Sequence, residues 1–445
     1  MTESPCIDID LVIKGGRILT LDRDFTEFNP GIICIAGNRI EFIGQEAEIP
    51  LKFRIKSTID ASGMLITPPF FNCHNHAAMS IFRGLGNDLS LDDWLNLFIW
   101  PAERKYINRE TVYLGTMISA MEMVRSGTGI FADMYFFEEE VARAAEEIGM
   151  RVILGEGILD FPTPNKQDPF EILEHTRYLH QRFAGHSLVS VSVSAHAPYT
   201  CSPRVIAYAA ELSAELGIPA NIHLSETRSE IEIMMDRYGK SPVKYLADLG
   251  FLGPRTVAHH GIHLSEEDID LLVESGASVV TIPNSNMKLG SGECRVPELL
   301  SRGINVSLGT DGPASNNHQS MVREMQQLAR KQKVISLDPL IITSRGCLKI
   351  ATINGARAYG MEHQLGSLET GKLADLIFIN QEQAHWYPKY DPYAGIAYAM
   401  HSEDVDSMMI DGRFIMKGRK ILNVDEKEII ARAKELPRII NLSGL

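Results

Sequence analysis

The sequence has little cysteine, no long apolar run and no excess of basic residues. Its six cysteines are scattered without a CxxC pair, which argues against a disulfide framework or a cysteine zinc site. No apolar stretch approaches the roughly 18 to 20 residues of a membrane span, and the opening MTESPCIDID lacks the basic and apolar regions of a signal peptide. The formal net charge of -14 argues against nucleic acid or an anionic membrane as a partner. We therefore expect a cytoplasmic protein.

The composition is that of an ordinary globular protein, with 44% apolar and 22% charged residues in a chain of 445. Both ends of the chain, residues 1–66 and 366–445, contain alternating apolar runs bounded by Gly, Asn and Asp. Examples are DLVIKGGRILTLD, GIICIAGNRIEFIG and VDSMMIDGRFIMKGRKIL, which carry hairpin signals. We expect one small β-sandwich built from both termini; two unrelated hairpin caps are the alternative.

Residues 67–365 alternate between short apolar runs and helical stretches. Runs such as LITPPFFNCHNH, RVILGEGILD, VSVSVSAHA and ASVVTIPNSN predict strands. Stretches such as RETVYLGTMISAMEMVRSG and SEEDIDLLVESG place apolar residues three and four apart and end in Gly, which predicts helices. Eight such units predict an α/β fold, the (β/α)8 TIM barrel. A doubly wound open sheet is the alternative.

Polar residues close almost every one of these runs, and this favours the barrel. The C-terminal ends of barrel strands meet at one mouth, where active sites of this fold lie, whereas in an open sheet they are spread along an edge. The residues expected at the mouth are His74, His76, His196, His223, His259, His260, His263, Asn284 and Asp311.

His74 and His76 give the first indication of a metal site, because residues two apart on a strand project from the same face. Alone, this spacing also fits surface or core histidines. With His223 and Asp311 it offers three imidazoles and one carboxylate, and it leaves a position open for water, as in catalytic sites. A divalent ion there would lower the pKa of a water ligand toward neutrality. The neighbouring Cys73 is expected to be a small buried residue.

Two further positions are candidates for acid–base or electrostatic roles. Glu226 lies three residues after His223, where it can lean over the mouth and protonate a ring nitrogen of the substrate; a solvated acid that opens the next helix is the alternative. His259 and His260 are neighbours on a strand, so only one of them can enter the barrel. That one could hydrogen-bond the attacking water.

Together these segments resemble the metal-dependent amidohydrolase superfamily, in particular its branch of S-adenosylhomocysteine and 5′-methylthioadenosine deaminases, near the triazine hydrolases. The resemblance runs nearly the length of the chain. Its specific motifs are HxHAAM followed by WPAE, and TDGxASNN; the HxH and TD pieces alone would indicate only the superfamily. The matching segments are CHNHAAMSIFRGLGNDLSLDDWL, IWPAE, SAHAPYT, NIHLSET, HGIHLSEEDI, NSNMKLGSG and SLGTDGPASNN.

The resemblance implies roles for individual residues. It implies Glu226 as proton shuttle, His260 rather than His259 facing the water, and Glu103 of WPAE holding the ribose hydroxyls. His196 would be a substrate contact; no lysine stands at this position, where relatives with two metals have one, so a single divalent ion is expected, zinc in preference to iron. A homodimer or tetramer is common among relatives. The implied metal ligands are His74, His76, His223 and Asp311, with Asp311 also catalytic and, like Glu226, a substrate contact.

The sequence also departs from the pattern of this branch. Glu156, in LGEG, stands where an arginine is expected, and Pro313 and His318 replace commoner residues. If that arginine grips the substrate tail, an acid there disfavours S-adenosylhomocysteine and favours a neutral or positively charged 5′ group.

The resemblance therefore implies a hydrolytic deaminase that removes the 6-amino group of an adenosine-type nucleoside: 5′-methylthioadenosine, S-adenosylhomocysteine, 5′-deoxyadenosine or adenosine. The alternatives are a deaminase of another aminated ring (aminodeoxyfutalosine, guanine, cytosine or a pterin) and a triazine-type hydrolase. A non-enzymatic relative would be expected to have a broken ligand set, and here all four ligand positions are intact.

Overall fold

Residues 6–440 are described by a computed structural model of the protein; residues 1–5 and 441–445, the outer ends of the two predicted terminal segments, lie outside that range. The N-terminal segment forms short strands. In GIICIAGNRIEFIG, the predicted hairpin is confirmed by antiparallel β5 and β6. In DLVIKGGRILTLD it is wrong, because β2 pairs with β5 and β8, whereas β3 pairs with β4 and β9. These strands are β1 (Ile7–Ile9), β2 (Leu11–Lys14), β3 (Arg17–Leu19), β4 (Glu27–Phe28), β5 (Ile32–Ala36), β6 (Arg39–Gly44), β7 (Phe53–Ile55), β8 (Thr58–Asp60) and β9 (Met64–Thr67).

The middle of the chain provides ten parallel strand segments in two sheets, with orders β10-β11-β12-β14 and β13-β15-β16-β17-β18-β19. The sheets are linked at one side because β12 continues into β13 and β14 into β15. At the other side, the N–H groups of Thr310 and Asp311, just after β19, donate to the carbonyl of His74 on β10 over 3.2 and 3.0 Å. The segments are β10 (Phe70–Asn75), β11 (Thr128–Asp133), β12 (Arg151–Leu154), β13 (Gly157–Ile158), β14 (Val189–Val191), β15 (Val193–Ala195), β16 (Ala220–Leu224), β17 (Thr256–His260), β18 (Ser278–Thr281) and β19 (Val306–Leu308).

Helices separate these strands, and the glycine stop signals are confirmed: Gly149, Gly217 and Gly276 cap their helices with φ of 89°, 68° and 72°. The helices are α1 (Leu91–Trp94), α2 (Trp100–Tyr106), α3 (Arg109–Arg125), α4 (Glu138–Ile148), α5 (Pro169–Arg182), α6 (Pro203–Leu216), α7 (Arg228–Tyr238), α8 (Pro242–Asp248), α9 (Glu266–Ser275), α10 (Pro283–Lys288), α11 (Val296–Ser301), α12 (Met321–Ser336), α13 (Ser344–Ala351) and α14 (Ile353–Ala358).

Two predicted strands have different limits in the structure. LITPPFFNCHNH is divided at its two prolines: β9 joins the terminal sheet and only β10 enters the parallel one. In ASVVTIPNSN the strand ends at Thr281, and the following residues form α10, because Pro283 fits the first turn of a helix and has no N–H for a strand ladder.

Strands from both ends of the chain share one seven-stranded sheet, in the order β23-β22-β21-β20-β9-β3-β4. The predicted Asp-Gly hairpin is confirmed between β21 and β22, where Asp411 and Gly412 take φ of 53° and 74°. The N-terminal strands β6, β5, β2 and β8 form a separate four-stranded sheet. Its residue Ile33 and Phe378 of the seven-stranded sheet belong to one buried apolar cluster. The C-terminal elements are β20 (Leu376–Asn380), α15 (Pro392–Ala394), β21 (Val405–Ile410), β22 (Arg413–Lys417), β23 (Lys420–Ile421), α16 (Glu426–Ala433) and α17 (Leu436–Ile439).

Among the helices of residues 6–440, none combines the length and the apolar character that a membrane crossing needs.

Candidate active site

A cavity lies at the C-terminal ends of the parallel strands, where active sites of this fold lie. Seven of its lining residues are ones that the sequence placed at the mouth or assigned to the reaction. They are His76, Glu103, His196, His223, Glu226, His260 and Asp311.

Three imidazoles and one carboxylate meet at the floor of this cavity. Oδ1 of Asp311 lies 3.4 Å from Nε2 of His74 and 3.3 Å from Nε2 of His76. Nε2 of His223 is 3.4 Å from Nε2 of His76. Four side chains separated by up to 237 residues in sequence therefore bring potential ligand atoms close together.

The outer nitrogens of two of these imidazoles fix their tautomers. Nδ1 of His76 contacts the carbonyl oxygen of Met134, and Nδ1 of His223 lies 2.6 Å from that of His196. Since a carbonyl only accepts, each Nδ1 carries the proton and each Nε2 presents a lone pair to the centre. Nε2 of His74 is buried without a hydrogen-bond partner. Lone pairs that converge in this way fit a bound cation.

The charges around this centre also favour a cation. Burial alone would raise the pKa of Asp311, but its contacts with His74 and His76 outweigh burial and hold the pKa well below the usual value. Burial lowers the pKa of His76, yet the Asp311 carboxylate reverses this and raises it to about 9, and the proton that Nε2 then holds occupies the place that a bound cation would take. Burial lowers the pKa of His74 to about 3, so that imidazole is neutral at physiological pH and able to bind a metal.

Asp311 is held in place by its surroundings. The Ser285 hydroxyl donates to its Oδ2 over 2.6 Å, and the N–H of Gly312 donates to Oδ1 over 2.8 Å. The residue has φ of 63°, a left-handed conformation that is uncommon outside glycine. Ser225 and His260, at two neighbouring strand ends, have φ of 52° and 71°. Such strain collects at functional sites, where the fold keeps a side chain in one direction.

Glu226 stands beside His260 at the side of the cluster, with Oε2 3.6 Å from Nε2 of the imidazole. Burial, with a smaller contribution from the Asp311 charge, raises the pKa of Glu226 to about 8. The backbone under it is fixed by the Glu230 carboxylate, which accepts the N–H groups of Ser225 and Glu226 over 2.9 and 2.8 Å. At neutral pH Glu226 therefore holds a transferable proton in a fixed place.

Glu103 and His196 lie on another side of the cavity. The Tyr135 hydroxyl donates to Oε1 of Glu103 over 2.7 Å, which leaves Oε2 free for other donors, and burial raises the pKa of Glu103 to about 7. Nδ1 of His196 is 2.8 Å from the Thr200 hydroxyl. Burial lowers the pKa of His196 to about 3, so it acts as a neutral hydrogen-bonding group.

His74 and four other expected mouth or neighbouring residues do not line the cavity. His263 turns its Nε2 to the carbonyl of Ser291, 2.8 Å away, so its predicted position at the mouth is wrong. Asn284 lies in the first turn of α10 and does not line the cavity. His259 is buried with its ring 4.0 Å from that of His74, and Cys73 is fully buried, as expected, on the opposite face of β10.

Glu156, at the position where an arginine was expected, is turned away from the cavity. Its carboxylate is buried and does not line the cavity. Instead it accepts the N–H groups of Phe137 and Glu138 over 3.0 and 3.1 Å. The neighbouring Gly157 lines the cavity, and adjacent residues of an extended chain point in opposite directions.

Sequence reasoning missed several contacts of this site. Tyr135, Ser285, Asn286 and Glu230 orient the groups named above, with Oδ1 of Asn286 2.8 Å from Nδ1 of His260. Ser285 and Asn286 lie in the segment NSNMKLGSG. This segment was recognised as a family motif, but no role was assigned to either residue. Tyr135 and Glu230 follow predicted strands by one or more residues and had no distinguishing pattern.

Comparison with known proteins gives consistent findings. A sequence profile of the amidohydrolase family matches residues 65–415. The chain is 42% identical over 431 residues, 97% of this chain and 98% of the relative, to a 5-methylthioadenosine/S-adenosylhomocysteine deaminase of Syntrophobacter fumaroxidans.

Among solved structures, an adenosine deaminase from Xanthomonas campestris with bound zinc has a TM-score of 0.95 and 30% identity, covering 98% of this chain and 99% of that one. A triazine hydrolase from Arthobacter aurescens has a TM-score of 0.88 at 20% identity, with 96% and 99% covered. At 20% identity, the similarity to the triazine hydrolase supports a shared fold and no more.

Proposed function

This chain belongs to the amidohydrolase family, and on that premise we propose that it hydrolyses the 6-amino group from an adenosine-type nucleoside, releasing ammonia and an inosine-type product. The observation that carries this proposal is the buried Glu226 carboxyl beside His260, above the convergent imidazoles and Asp311. Relatives with about 40% identity over nearly the whole chain are named as deaminases of such nucleosides.

Glu226 is the proton carrier of the proposed reaction. Water adds its oxygen to C6 of the purine and gives one proton to His260, while Glu226 gives its own proton to N1. The Glu226 carboxylate then takes the second water proton from the C6 hydroxyl and delivers it to the departing amino group, and the proton held by His260 restores Glu226. The raised pKa of Glu226, about 8, keeps it protonated for the first step. The C–N bond breaks, the C6 oxygen becomes the carbonyl of the product, and ammonia leaves.

His260 and Asp311 orient the attacking water. With Nδ1 of His260 donating to the Asn286 amide oxygen, its Nε2 presents a lone pair to the cavity and accepts a water proton. Burial lowers the pKa of His260, so the ring is neutral before it does so. The Asp311 carboxylate provides a second acceptor on the same side.

One divalent ion, zinc in preference to iron, is proposed at the convergent nitrogens. His74, His76, His223 and Asp311 would hold it, supported by the unpartnered Nε2 of His74 and the tautomers of the other two imidazoles. Such an ion supplies Lewis-acid activation of water. The ligand atoms of His74, His223 and His260 also lie within 4.8 Å of one another, so His260 stands close to this centre.

Glu103 is proposed to hold the ribose. With Oε1 engaged by Tyr135, the carboxylate keeps an oxygen for the sugar hydroxyls, and a carboxylate that accepts such bonds favours a nucleoside over a free base. His196, neutral and on the cavity wall, is a second polar contact for the substrate. This arrangement favours an adenosine-type substrate over guanine, cytosine or a triazine.

The finer architecture is proposed as well. The link from β19 back to β10 supports a closed (β/α)8 barrel over residues 67–365, and the shared apolar cluster supports a β-sandwich of residues 1–66 and 366–445.

A cytoplasmic location is proposed, supported by the acidic net charge and the scattered free cysteines. A homo-oligomeric state, dimer or tetramer, is proposed from the resemblance alone.

The proposed function is tested by measuring ammonia release from adenosine and its 5′ derivatives, with guanine, cytosine and an aminotriazine alongside. We expect turnover of the nucleosides at rates at least a hundredfold above those of the free bases and the triazine. Equal or faster turnover of any of those three would refute the proposed substrate class.

A further inference from the structure

A side chamber adjoins the main cavity. The two spaces share Trp100, Glu103, Phe136 and Leu159 as wall residues, so they meet at these side chains. The remaining wall is the loop 161–164, whose Phe161 packs edge-on against Trp100 with ring centroids 5.3 Å apart. The chamber therefore opens beside the residue proposed to hold the ribose.

Six of the nine wall residues of this chamber are apolar. The other three are Glu103 at the junction, Thr163 and Arg104. Arg104 is exposed to solvent, and its side chain forms no hydrogen bond or ion pair with residues 6–440. The lining of the main cavity contains no lysine or arginine. No buried lysine or arginine side chain is thus available to a substrate carboxylate, and an exposed arginine is screened by water.

Glu156 fixes this chamber from behind. Its Oε1 accepts from Nδ2 of Asn165 over 2.5 Å and from the N–H of Phe137 over 3.0 Å. Asn165 belongs to a tight turn in which the N–H of Thr163 donates to the carbonyl of Lys166 over 2.9 Å. One buried carboxylate therefore positions both the Phe136 wall and the loop wall.

We propose that the side chamber binds the 5′ substituent of the nucleoside, that it selects a small apolar group such as a methylthio or methyl group, and that Glu156 and Asn165 are positioning residues for it. This inference rests on the proposed deaminase function. A thioether or methyl group gains by leaving water for an aromatic and proline-lined space. A zwitterionic amino-acid tail would lose its hydration without a buried partner for either charge.

The first experiment compares kcat/KM for four substrates: 5′-methylthioadenosine, 5′-deoxyadenosine, adenosine and S-adenosylhomocysteine. A methylthio group in a fitted apolar pocket is expected to raise kcat/KM about tenfold or more over adenosine, since a single extra methylene is worth 10- to 200-fold. S-Adenosylhomocysteine is expected at least about tenfold below 5′-methylthioadenosine. Equal values for these two would overturn the proposal.

Arg104→Gln tests the one competing cation. The ratio of kcat/KM for the methylthio nucleoside to that for S-adenosylhomocysteine should stay within twofold of wild type. A selective loss of S-adenosylhomocysteine turnover in this variant would overturn the proposal, because it would make the chamber a site for an anionic tail.

Asn165→Ala tests the positioning role. We expect KM for 5′-methylthioadenosine to rise about five- to tenfold with kcat unchanged, while KM for adenosine, which lacks the apolar group, stays within twofold. Phe161→Ala, which removes a wall without touching Glu156, should give the same split. Asn423→Ala is the matched control, since its amide contacts the Ile148 carbonyl away from the cavity. Equal changes for both nucleosides, or none, would contradict the positioning role.

The same data separate this inference from the function on which it rests. If no purine nucleoside releases ammonia, the deaminase proposal fails. If all four are deaminated with similar kcat/KM, the deaminase proposal stands and only the apolar chamber is refuted.

Discussion

Oε2 of Glu226 lies 3.6 Å from Nε2 of His260. Both side chains are buried, yet they have different tasks in the proposed reaction, because burial raises the pKa of the acid to about 8 and lowers that of the imidazole. A proton donor and a proton acceptor are thereby present together at neutral pH. Separate pKa shifts of neighbouring groups are a mark of acid–base sites.

Glu226→Gln should lower kcat by about 10² to 10⁴, the range typical of a lost general acid–base group. Metal content, measured by elemental analysis, should stay at the wild-type value because the amide is no ligand. The control is Glu232→Gln, an exposed acid on α7, which should keep wild-type kcat. A Glu226→Gln enzyme with normal turnover would refute the shuttle.

Nucleoside binding should weaken at acidic pH. Burial raises the pKa of Glu103 to about 7, and only the carboxylate form accepts two hydroxyl hydrogen bonds. As pH falls through that value, kcat/KM should therefore decrease, approaching about tenfold per unit for a single essential carboxylate.

Glu103→Gln provides the comparison for this profile. Its kcat/KM should be lower at pH 8 and should lack the step near pH 7. If the variant keeps that step, another group causes it and the assignment to Glu103 is wrong.

Removal of the metal should abolish activity and lower the melting temperature. Without a cation, the Asp311 carboxylate and three imidazoles remain buried near one another, whereas an ion that binds only the folded state stabilises it. Chelation followed by one equivalent of zinc should restore turnover, with one ion per chain by elemental analysis.

Histidine variants locate the ion. His223→Asn should reduce metal occupancy to well below one per chain, whereas His263→Asn should retain it, since the His263 ring contacts the Ser291 carbonyl instead. Equal loss of metal from both variants would speak against the proposed ligand set.

Asp375→Asn should destabilise the protein by about 3–5 kcal/mol, the cost of breaking a buried ion pair. Asp375 accepts from Nε and an Nη of Arg151 over 2.6 and 2.9 Å, and both side chains are about 5% exposed. The pair joins β12 to the segment just before β20.

Chemical unfolding followed by circular dichroism measures this loss. Glu382→Gln, which removes an exposed ion pair with Lys389, should leave the midpoint unchanged. A midpoint for Asp375→Asn that matches wild type would show that the pair contributes nothing to stability.

The residues whose positions in the fold could be predicted are those with a local sequence signal. His74, His76 and Asp311 stand beside short apolar runs, and the helix ends follow from glycines whose backbone takes a positive φ. The grouping of these side chains could be predicted because strand ends converge in such folds.

The direction of Glu156 could not be predicted, because it depends on a break in the strand. RVILGEGILD reads as one run, but β12 ends at Leu154 and β13 starts at Gly157. A Cβ on Gly155 would lie 2.2 Å from Oγ of Ser194, so the break depends on a close approach to a strand that is distant in sequence. The role of Tyr135 likewise depends on Glu103, 32 residues away.

The pairing of β9 with β20 has a consequence for how the chain folds during translation. Roughly 300 residues are synthesised between these two strands, which at about 5–20 residues per second takes on the order of 15–60 s. Throughout that time β9 and its neighbour β3 leave the ribosome with an open edge and no C-terminal strand to cover it. Nascent chains stalled before residue 376 should therefore be the form of this protein that chaperones bind and that aggregates most readily.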